Sequence, residues 1–466
     1  MSSPSAALLP AAEVARRVRA GDLSPVEVLD ACMARVEALN PTLNAVVTLN
    51  PAARDEAVAL ERRIARGEDP GVLAGVPVGI KDVTEVAGLR CTYGSPLFAD
   101  HVATGDAEVV RRLRAAGAVI LGKTNTPEFA AGGNTFNPVF GRTRNPWDPS
   151  RSAGGSTGGG AVGLATGMFA LAQGTDLGGS LRIPASFCGV VGLRPSVGLV
   201  PTWPQEYLWD TMQVTGVMGR TAEDVALGLE AVAGPSPRVP LTRSAEGIAD
   251  AVRVADARGL RVAYCADLAG IGVDPGVESV CREAAFALRD AGAEVEEIGL
   301  DLAYARPAFL ALRGLWFVAQ LHSQLDRVEH FGPNVAANVR AGLAVTTREL
   351  GAAEAARRRI WEELAALFER FDLLLTPTMA VPPFPVEENY PRTVAGREME
   401  TYVDWIAPTF VLSLSGLPVA SVPAGLDAAG MPAGLQVVAP PRGEGRALAL
   451  ASVVQRLRPV PLPPTS

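Results

Sequence analysis

The sequence predicts an α/β fold, a single domain with a mixed, mostly parallel central sheet that is covered by helices on both faces. Three observations lead to this prediction. Amphipathic helical stretches alternate with short apolar runs along the 466-residue chain, a pattern typical of layered α/β proteins. Residues 260–300 have the pattern strand, helix, strand, which implies parallel pairing. The chain is 48% hydrophobic and 20% charged, which excludes a disordered protein.

The first elements are predicted from helix start signals and apolar runs. Ser24, Pro25 and Glu27 form a capping box with proline at the first helical position. Residues 106–116 predict a further helix, and the apolar run 118–121 that follows predicts a short buried strand. A helix followed by a buried strand is the repeating unit of an α/β fold.

The elements of the second half are predicted from the same periodicities. In the strand–helix–strand unit, RVAYC is the first strand, residues 276–291 are the helix and AEVEEIGL is the second strand. We expect this unit, about 258–300, to be a peripheral part of the sheet and not an independent nucleotide domain. Residues 353–371 predict an amphipathic helix, and residues 372–377 predict a strand and its end.

Charge and cysteine content exclude several classes of protein. The net charge is −8 and we find no extended basic stripe, so we expect no nucleic-acid partner. The five cysteines form no CxxC pair and their number is odd. This pattern argues against a disulfide framework or a zinc site and indicates a reducing compartment. With only three histidines in the chain, we also expect no His-rich metal site.

We predict no membrane or export segment. The first residues, Met-Ser-Ser-Pro-Ser-Ala-Ala, have no basic stretch before an apolar one, so no signal peptide is predicted. The longest apolar-looking run, residues 161–172, is too short and too glycine-rich for a membrane span, which needs about 20 residues. We therefore expect a cytoplasmic protein.

Two motif matches lie in the wrong context. Residues 117–124, GAVILGKT, satisfy the P-loop pattern, but the four residues between the glycines are apolar and β-prone and so predict a strand. Residues 154–158, GGSTG, satisfy the nucleophile-elbow pattern, but a loop and not a strand precedes them. An elbow serine would also need a histidine. The candidates, His322 and His330, lie in a helical, partly charged stretch typical of a surface.

Lys81, Ser156 and Ser180 form a third candidate constellation. Ser180 follows Gly178 and Gly179. Two glycines allow consecutive backbone N–H groups to converge on one point, as an oxyanion hole requires. Taken alone, a lysine at a strand end is usually solvated, and a Gly-Gly-Ser sequence more commonly forms a plain tight turn.

The motifs around these residues resemble the amidase signature family of Ser-Ser-Lys hydrolases. The resemblance covers nearly the whole chain and implies one domain over residues 1–466, with a signature core at about 73–221. It is carried by AGVPVGIKD, AGAVILGKTNTPEFA, NPVFGRTRNPW, SAGGSTGGGAV and GTDLGGSLRIPASFCGVVGLRPS. The later pieces FDLLLTPT, SLSGLPVASVPAG and GMPAGLQVV also match. Ser156 and Ser180 are 24 residues apart, as expected of the family.

The resemblance implies a role for each candidate residue. Lys81 matches the catalytic lysine, Ser156 the bridging serine and Ser180 the nucleophile, and the Gly155–Ser156 peptide would be cis. The oxyanion hole maps onto the N–H groups of Leu177, Gly178, Gly179 and Ser180. The substrate-binding positions map onto Ala131, Gly132, Gly133 and Thr175.

The sequence departs from the family pattern at two positions. Thr157 stands where many members carry a second serine, and Arg194 stands where many carry lysine. Neither belongs to the triad. The charged residues Asp176 and Arg182 flank the nucleophile loop, and we interpret them as structural charges that brace it.

Two expectations concern specificity. Residues 130–134 would lie beside the scissile group, and because they are small, the pocket there would be roomy. A second set of residues forms either an apolar wall of the pocket or ordinary core: Tyr207, Leu208, Trp209 and Met212.

The resemblance implies a hydrolase that cleaves carboxylic amides of small molecules, or aryl amides, esters or carbamates (urethanes), through an acyl-enzyme and without a cofactor. Lysine acts as the base only when neutral, so its pKa must be lowered. Three alternatives stay open: a glutamine-hydrolysing component of a tRNA-dependent amidotransferase, a Ser-His α/β-hydrolase, and a non-enzymatic binding module. The last would be indicated by loss of Lys81 or Ser180, and both are present. We expect a monomer or a homodimer.

Overall fold

One large sheet organises the chain in the computed structural model, which describes residues 6–244 and 247–464. Five residues of the N-terminal segment considered above lie outside the described residues. The strands are β1 (Val46–Leu49), β2 (Pro77–Lys81), β3 (Val119–Thr124), β4 (Phe136–Asn137), β5 (Gly141–Arg142), β6 (Leu171–Asp176), β7 (Val191–Arg194), β8 (Val214–Gly219), β9 (Arg261–Tyr264), β10 (Glu294–Glu297), β11 (Leu373–Pro377), β12 (Thr393–Val394), β13 (Arg397–Glu398), β14 (Val419–Leu426) and β15 (Pro432–Val438).

Helices flank this sheet. They are α1 (Ala11–Ala20), α2 (Pro25–Leu43), α3 (Ala53–Ala65), α4 (Glu108–Ala115), α5 (Gly158–Ala165), α6 (Arg182–Cys188), α7 (Ala222–Val232), α8 (Ile248–Arg253), α9 (Pro275–Ala287), α10 (Arg306–Gln320), α11 (Pro333–Ala344), α12 (Thr347–Arg370), α13 (Ala407–Ser413) and α14 (Glu444–Leu457). The predicted capping box starts α2: the Ser24 side chain accepts from the N–H of Val26, and Glu27 closes the box. Among the described residues, no helix has the length and apolar character needed to cross a membrane.

The α/β class and the mixed sheet are confirmed, but the predicted predominance of parallel pairing is wrong. Within the described residues the main sheet has eleven strands in the order β1-β3-β2-β6-β8-β7-β14-β15-β11-β9-β10. Only the pairs β3–β2, β2–β6, β11–β9 and β9–β10 are parallel. The central strands pair antiparallel because their connections lack a crossover helix: β7 leads to β8, and β14 to β15, without one.

The strand–helix–strand unit of residues 258–300 belongs to the same sheet and lies at one end of it. Its strands β9 and β10 are parallel, and β10 lies at the sheet edge. Its helix, α9, is slightly shorter than predicted, and α12 begins earlier than the predicted residue 353.

The sheet separates two hydrophobic cores. Leu373 and Leu375 belong to one apolar cluster, whereas Leu374 between them belongs to the other. Successive strand residues point to opposite faces of a sheet, so each cluster covers one face. Helices α1, α2, α5, α7, α9 and α14 contribute to the first cluster, and α10 to α13 contribute to the second. Helices on both faces were predicted, and this packing confirms them.

The parallel pair β2–β6 determines where the site lies. Ile80 of β2 lies opposite Gln173 of β6. The carboxyl ends of parallel strands meet at one edge, so Lys81, which ends β2, lies at the same edge of the sheet as Thr175 and Asp176, which end β6.

Candidate active site

Lys81 lies at the centre of the candidate site. Its Nζ donates to Ser156 Oγ at 2.6 Å and to Thr175 Oγ1 at 2.9 Å. The lysine and Ser156 are both fully buried, and Thr175 is 5% exposed. A lysine was expected to be solvated at a strand end, but this one is sequestered with two hydroxyl groups.

Burial changes the ionisation of this lysine. It lowers the pKa of Lys81 to about 7, against the opposing effect of the negative charge on Asp176. The charged form loses its hydration in the interior, so the neutral amine is favoured. At neutral pH a large share of the molecules therefore carries a neutral Lys81, which is able to accept a proton.

Ser156 lies in the turn before α5. The Gly155–Ser156 peptide is cis, as expected. The N–H of Thr157 donates to the carbonyl oxygen of Ser180 at 3.2 Å, which joins the two serine loops. In the described part of the chain the two serine hydroxyls make no hydrogen bond to each other. The structure therefore pairs Lys81 with Ser156 directly and places Ser180 on the adjoining loop.

Ser180 lies two residues before α6 and is half-buried, so its hydroxyl is more accessible than that of Ser156. Gly179 has φ +127°, a conformation that favours glycine. Its N–H donates to Asp176 Oδ1 at 2.9 Å. This contact corrects the predicted set of oxyanion donors, because Gly179 already has an acceptor. Three predicted N–H groups make no hydrogen bond among the described residues: Leu177, Gly178 and Ser180.

Asp176 holds the nucleophile loop through a fully buried ion cluster. Arg182 binds it with two nitrogens, Nε to Oδ2 and Nη2 to Oδ1, each at 3.0 Å. Arg194 Nη1 donates to the Asp176 carbonyl oxygen at 2.5 Å. Burial alone would raise the pKa of Asp176, but the two guanidinium groups outweigh it and hold the pKa well below its usual range. The cluster has the bracing role predicted for Asp176 and Arg182, and Arg194 joins it.

Replacing Asp176 by asparagine should strongly destabilise the protein. The change keeps the side-chain shape but leaves two buried arginines without a compensating charge. Breaking a buried ion pair from one side costs about 3–5 kcal/mol. The free energy of unfolding, measured by urea denaturation at pH 7, should fall by that amount. Asp148→Asn is the matched control, because Asp148 forms an exposed pair with Arg151 and should cost under about 1 kcal/mol. Equal midpoints for both variants would contradict the bracing role.

Of the loop 130–134, Ala130 lines the cavity described below, whereas the other four residues are not among its described lining residues. Ala131, Gly132 and Gly133 are all buried. A Cβ on Gly133 would lie 2.4 Å from Cζ2 of Trp405, which is fully buried. The missing side chain therefore makes room for an indole ring. Substrate contact by these three residues stays a prediction.

Gly133→Ala should destabilise the protein because the Trp405 ring has no space into which to move. Overpacking of this kind costs about 1–3 kcal/mol. The neighbouring Gly132→Ala is the control, since its added Cβ would come no closer than 3.3 Å to any atom. Thermal unfolding should show a clearly lower midpoint for Gly133→Ala than for Gly132→Ala. The reverse order would contradict the packing argument.

A cavity of about 430 Å³ adjoins the candidate triad through Thr175, and none of Lys81, Ser156 and Ser180 is among its described lining residues. Thr175, which accepts a hydrogen bond from Lys81, is part of its lining, as are Val83 and Thr84, which follow Lys81 in the chain. Six aromatic residues line it: Tyr93, Phe98, Phe129, Trp203, Trp316 and Phe317. A larger cavity of about 610 Å³ against α7 and the C-terminal residues contains none of the predicted site residues among those described. The candidate substrate site is therefore the aromatic cavity.

Three residues of the cavity wall have a backbone conformation that sequence analysis did not anticipate. Tyr93, Phe129 and Ala130 have φ of 53°, 45° and 58°, a region that non-glycine residues rarely adopt. Tyr93 and Phe129 stack with ring centroids 5.8 Å apart. Strained backbone of this kind clusters at functional sites, but no local pattern distinguishes these residues in the sequence.

The proposed wall of residues 207–212 does not line this cavity. Trp209 is 66% exposed, whereas Met212 is buried in the core. None of Tyr207, Leu208, Trp209 and Met212 is among the described lining residues. The core interpretation is therefore correct for Met212, and the wall interpretation is wrong.

The two motif matches are explained by structure. The apolar run of the P-loop pattern is strand β3, as predicted, and its Lys123 pairs with Asp82 at 3.0 Å in the interior. Both His322 and His330 lie on an exposed 3₁₀ segment. Ser156 is buried and its partner is Lys81. A nucleophile elbow, in contrast, exposes its serine and pairs it with a histidine.

The chain is similar to known proteins over almost its whole length. The family profile described as Amidase matches residues 27–448. An acylamidase of Rhodococcus erythropolis is 36% identical over 465 residues, which cover 97% of this chain and 96% of the relative. A glutamyl-tRNA(Gln) amidotransferase subunit of Carboxydothermus hydrogenoformans is 35% identical over 446 residues, 90% of each chain. The crystal structure of a bacterial aryl acylamidase of the amidase signature family matches with a TM-score of 0.90 and 30% identity, over 97% of both chains.

Proposed function

The chain belongs to the amidase family of carbon–nitrogen hydrolases, and from that premise we propose that it hydrolyses small-molecule acyl amides, aryl amides above all, through Ser180, Ser156 and Lys81. The observation that supports this most is the buried Lys81, with a pKa of about 7 and a 2.6 Å hydrogen bond to Ser156. A buried lysine with a lowered pKa is a suitable general base at neutral pH.

Ser180 becomes nucleophilic by a proton relay. Neutral Lys81 accepts the proton of Ser156, and Ser156 takes the proton of Ser180 as the Ser180 oxygen bonds to the carbonyl carbon. The carbonyl π electrons move to oxygen. We assign the binding of that oxyanion to the N–H groups of Leu177, Gly178 and Ser180, which have no other acceptor among the described residues.

The second half of the reaction returns the protons. The carbonyl re-forms, the C–N bond breaks, and the amine nitrogen takes the proton that came from Ser180 back through Ser156. Water then attacks the Ser180 ester, with Lys81 and Ser156 again accepting its proton. The bond between the carbonyl carbon and the Ser180 oxygen breaks, that oxygen takes the proton back through Ser156, and the acid leaves. The same three side chains donate and accept the protons in both halves of the reaction, so the chemistry requires no cofactor.

The shape of the cavity favours aryl amides. Six aromatic side chains surround a space of about 430 Å³, and aromatic rings pack well against one another in edge-on or offset geometries. Two of the similar proteins are an acylamidase and an aryl acylamidase by name. Esters and carbamates present the same carbonyl to Ser180 and belong in the substrate tests.

Glutamine hydrolysis within an amidotransferase is the second candidate, since glutamyl-tRNA(Gln) amidotransferase subunits are also similar to this chain. The lining argues against it. A free glutamine carries an α-carboxylate, and the described residues that line the cavity include no lysine or arginine. The cationic side chains that bind such a carboxylate most strongly are therefore not among these residues.

A substrate panel with the purified chain tests the proposal. Acetanilide, an alkyl acetamide, a phenyl ester, a phenyl carbamate and free glutamine are assayed at pH 8 for amine, phenol or ammonia release. We expect turnover of the anilide, with little or no ammonia from glutamine. Turnover of glutamine alone would overturn the proposal in favour of the amidotransferase role.

A cytoplasmic location and a monomeric or homodimeric state stay predictions. The five thiols are free and buried.

A further inference from the structure

The charged residues that line the cavity indicate which class of amide it would bind, an inference that rests on the proposed function. The lining includes two carboxylates, Glu85 and Glu206, and no lysine, arginine or histidine among the described residues. We propose that this cavity selects amides bearing a cationic group away from the scissile carbonyl and rejects anionic ones, with Glu85 as the specificity-determining residue.

Glu85 has the position that this role requires. It lies four residues after Lys81 on the segment that leaves β2, and it is one of the described residues that line the cavity. Its side chain is 24% exposed, and its Oε1 accepts from the Tyr93 hydroxyl at 3.1 Å. Among the described residues no lysine or arginine pairs with it; His101 Nε2 lies 3.5 Å away. A half-buried carboxylate acts on a ligand through less screening water than an exposed one.

Glu206 adds a second negative charge at the mouth of the cavity. It is exposed, and its carboxylate accepts from both the backbone N–H and the hydroxyl of Ser323. These contacts fix its position without neutralising it. Clefts lined by one sign of charge concentrate ligands of the opposite sign, so Glu206 attracts the same substrates that Glu85 binds.

Two arginines contact aromatic rings of the lining. The Arg238 guanidinium packs 4.2 Å from the Trp203 ring centroid, and that of Arg327 lies 5.9 Å from the Phe98 centroid. Neither arginine is among the described lining residues. The two arginines are therefore outside the described lining, whereas Glu85 is part of it.

Matched substrates test this selection. One set carries the charge on the aryl amine: acetanilides with a 4-(trimethylammonio)methyl, a 4-neopentyl or a 4-sulfonatomethyl group, which have similar size and charges of plus one, zero and minus one. A second set places the same groups on the acyl side. In at least one set we expect kcat/KM of the cation to exceed that of its neutral partner roughly tenfold. The anion should react slowest in that set.

Variants assign the effect to Glu85. Glu85→Gln retains a hydrogen-bond acceptor for Tyr93, and it should bring the cation-to-neutral ratio of kcat/KM close to one. Glu223→Gln removes the same charge from an exposed position at the start of α7 and should leave the ratio unchanged. Raising the salt concentration should shrink the wild-type ratio, because ions screen charge interactions.

The outcomes separate this inference from the proposed function. If no probe is hydrolysed, the proposed amidase activity on such substrates is wrong. If neutral and cationic probes are hydrolysed equally in both sets, or if the preference persists in Glu85→Gln, the amidase activity stands and the charge selection by Glu85 is overturned.

Discussion

Ser180→Ala should abolish amide hydrolysis and covalent labelling together. A phosphonate or sulfonyl fluoride reacts with an activated nucleophile, and we assign that role to Ser180, which is half-buried and follows Gly178 and Gly179. Peptide mass spectrometry of the wild-type protein should find the adduct on Ser180. In Ser180→Ala no adduct should form, and hydrolysis should fall by about three orders of magnitude or more, as for other nucleophile deletions.

Ser156→Ala distinguishes the two serines. Members of a catalytic unit are not additive when deleted, so this variant should also be badly impaired, and rates alone cannot assign the roles. Labelling of Ser180 should persist in Ser156→Ala but become slower, because the proton of Ser180 loses its path to Lys81. An adduct on Ser156, or a requirement for His322 or His330 in their alanine variants, would contradict the assignment and restore the nucleophile-elbow interpretation.

The second large effect concerns Lys81. Wild-type kcat/KM should decline on the acid side with a midpoint near pH 7, because protonated Lys81 accepts no proton and its pKa is about 7. Lys81→Met, which keeps the length of the side chain, should lower kcat/KM by about 100- to 10,000-fold and flatten this acid limb. Undiminished activity would remove the lysine from the mechanism.

The same substitution should stabilise the fold, and the sign follows from proton binding. The pKa of Lys81 is about 7 in the folded protein against an ordinary value of 10.5. Between these values the unfolded chain binds more protons, so the free energy of unfolding due to this group rises with pH. Below pH 7 its destabilising effect is complete. Lys81→Met should therefore raise the melting temperature most at pH 6 to 7, and the advantage should shrink towards pH 10.

A melting-temperature difference between variant and wild type that does not depend on pH would contradict the lowered pKa. Scanning both proteins in the same buffers removes the contribution of the other titrating groups, which is common to the two. Stabilisation together with loss of activity is expected of a residue that is retained for function and not for folding.

Much of the local structure could be predicted because it is set by residues close together in the chain. The capping box at Ser24, the strand that accounts for the P-loop pattern and the parallel unit of residues 258–300 each follow from spacing over a few residues. The family resemblance, which depends on ordered motifs, identified Lys81 and both serines. The paired Lys81 and Ser156 and the cis peptide before Ser156 agree with it.

Other features depend on which distant elements pack together. The sequence by itself determined the α/β class and the helix and strand periods, because these arise from neighbouring residues, and its ordered family motifs supplied the candidate triad. Only the tertiary structure decided that six of the ten strand pairs described in the main sheet are antiparallel. It also decided that Trp405 fills the space beside Gly133 and that Asp176 accepts the hydrogen bond of the Gly179 N–H. It also decided the ionisation of Lys81, because desolvation comes from the whole surrounding core and no local pattern encodes it.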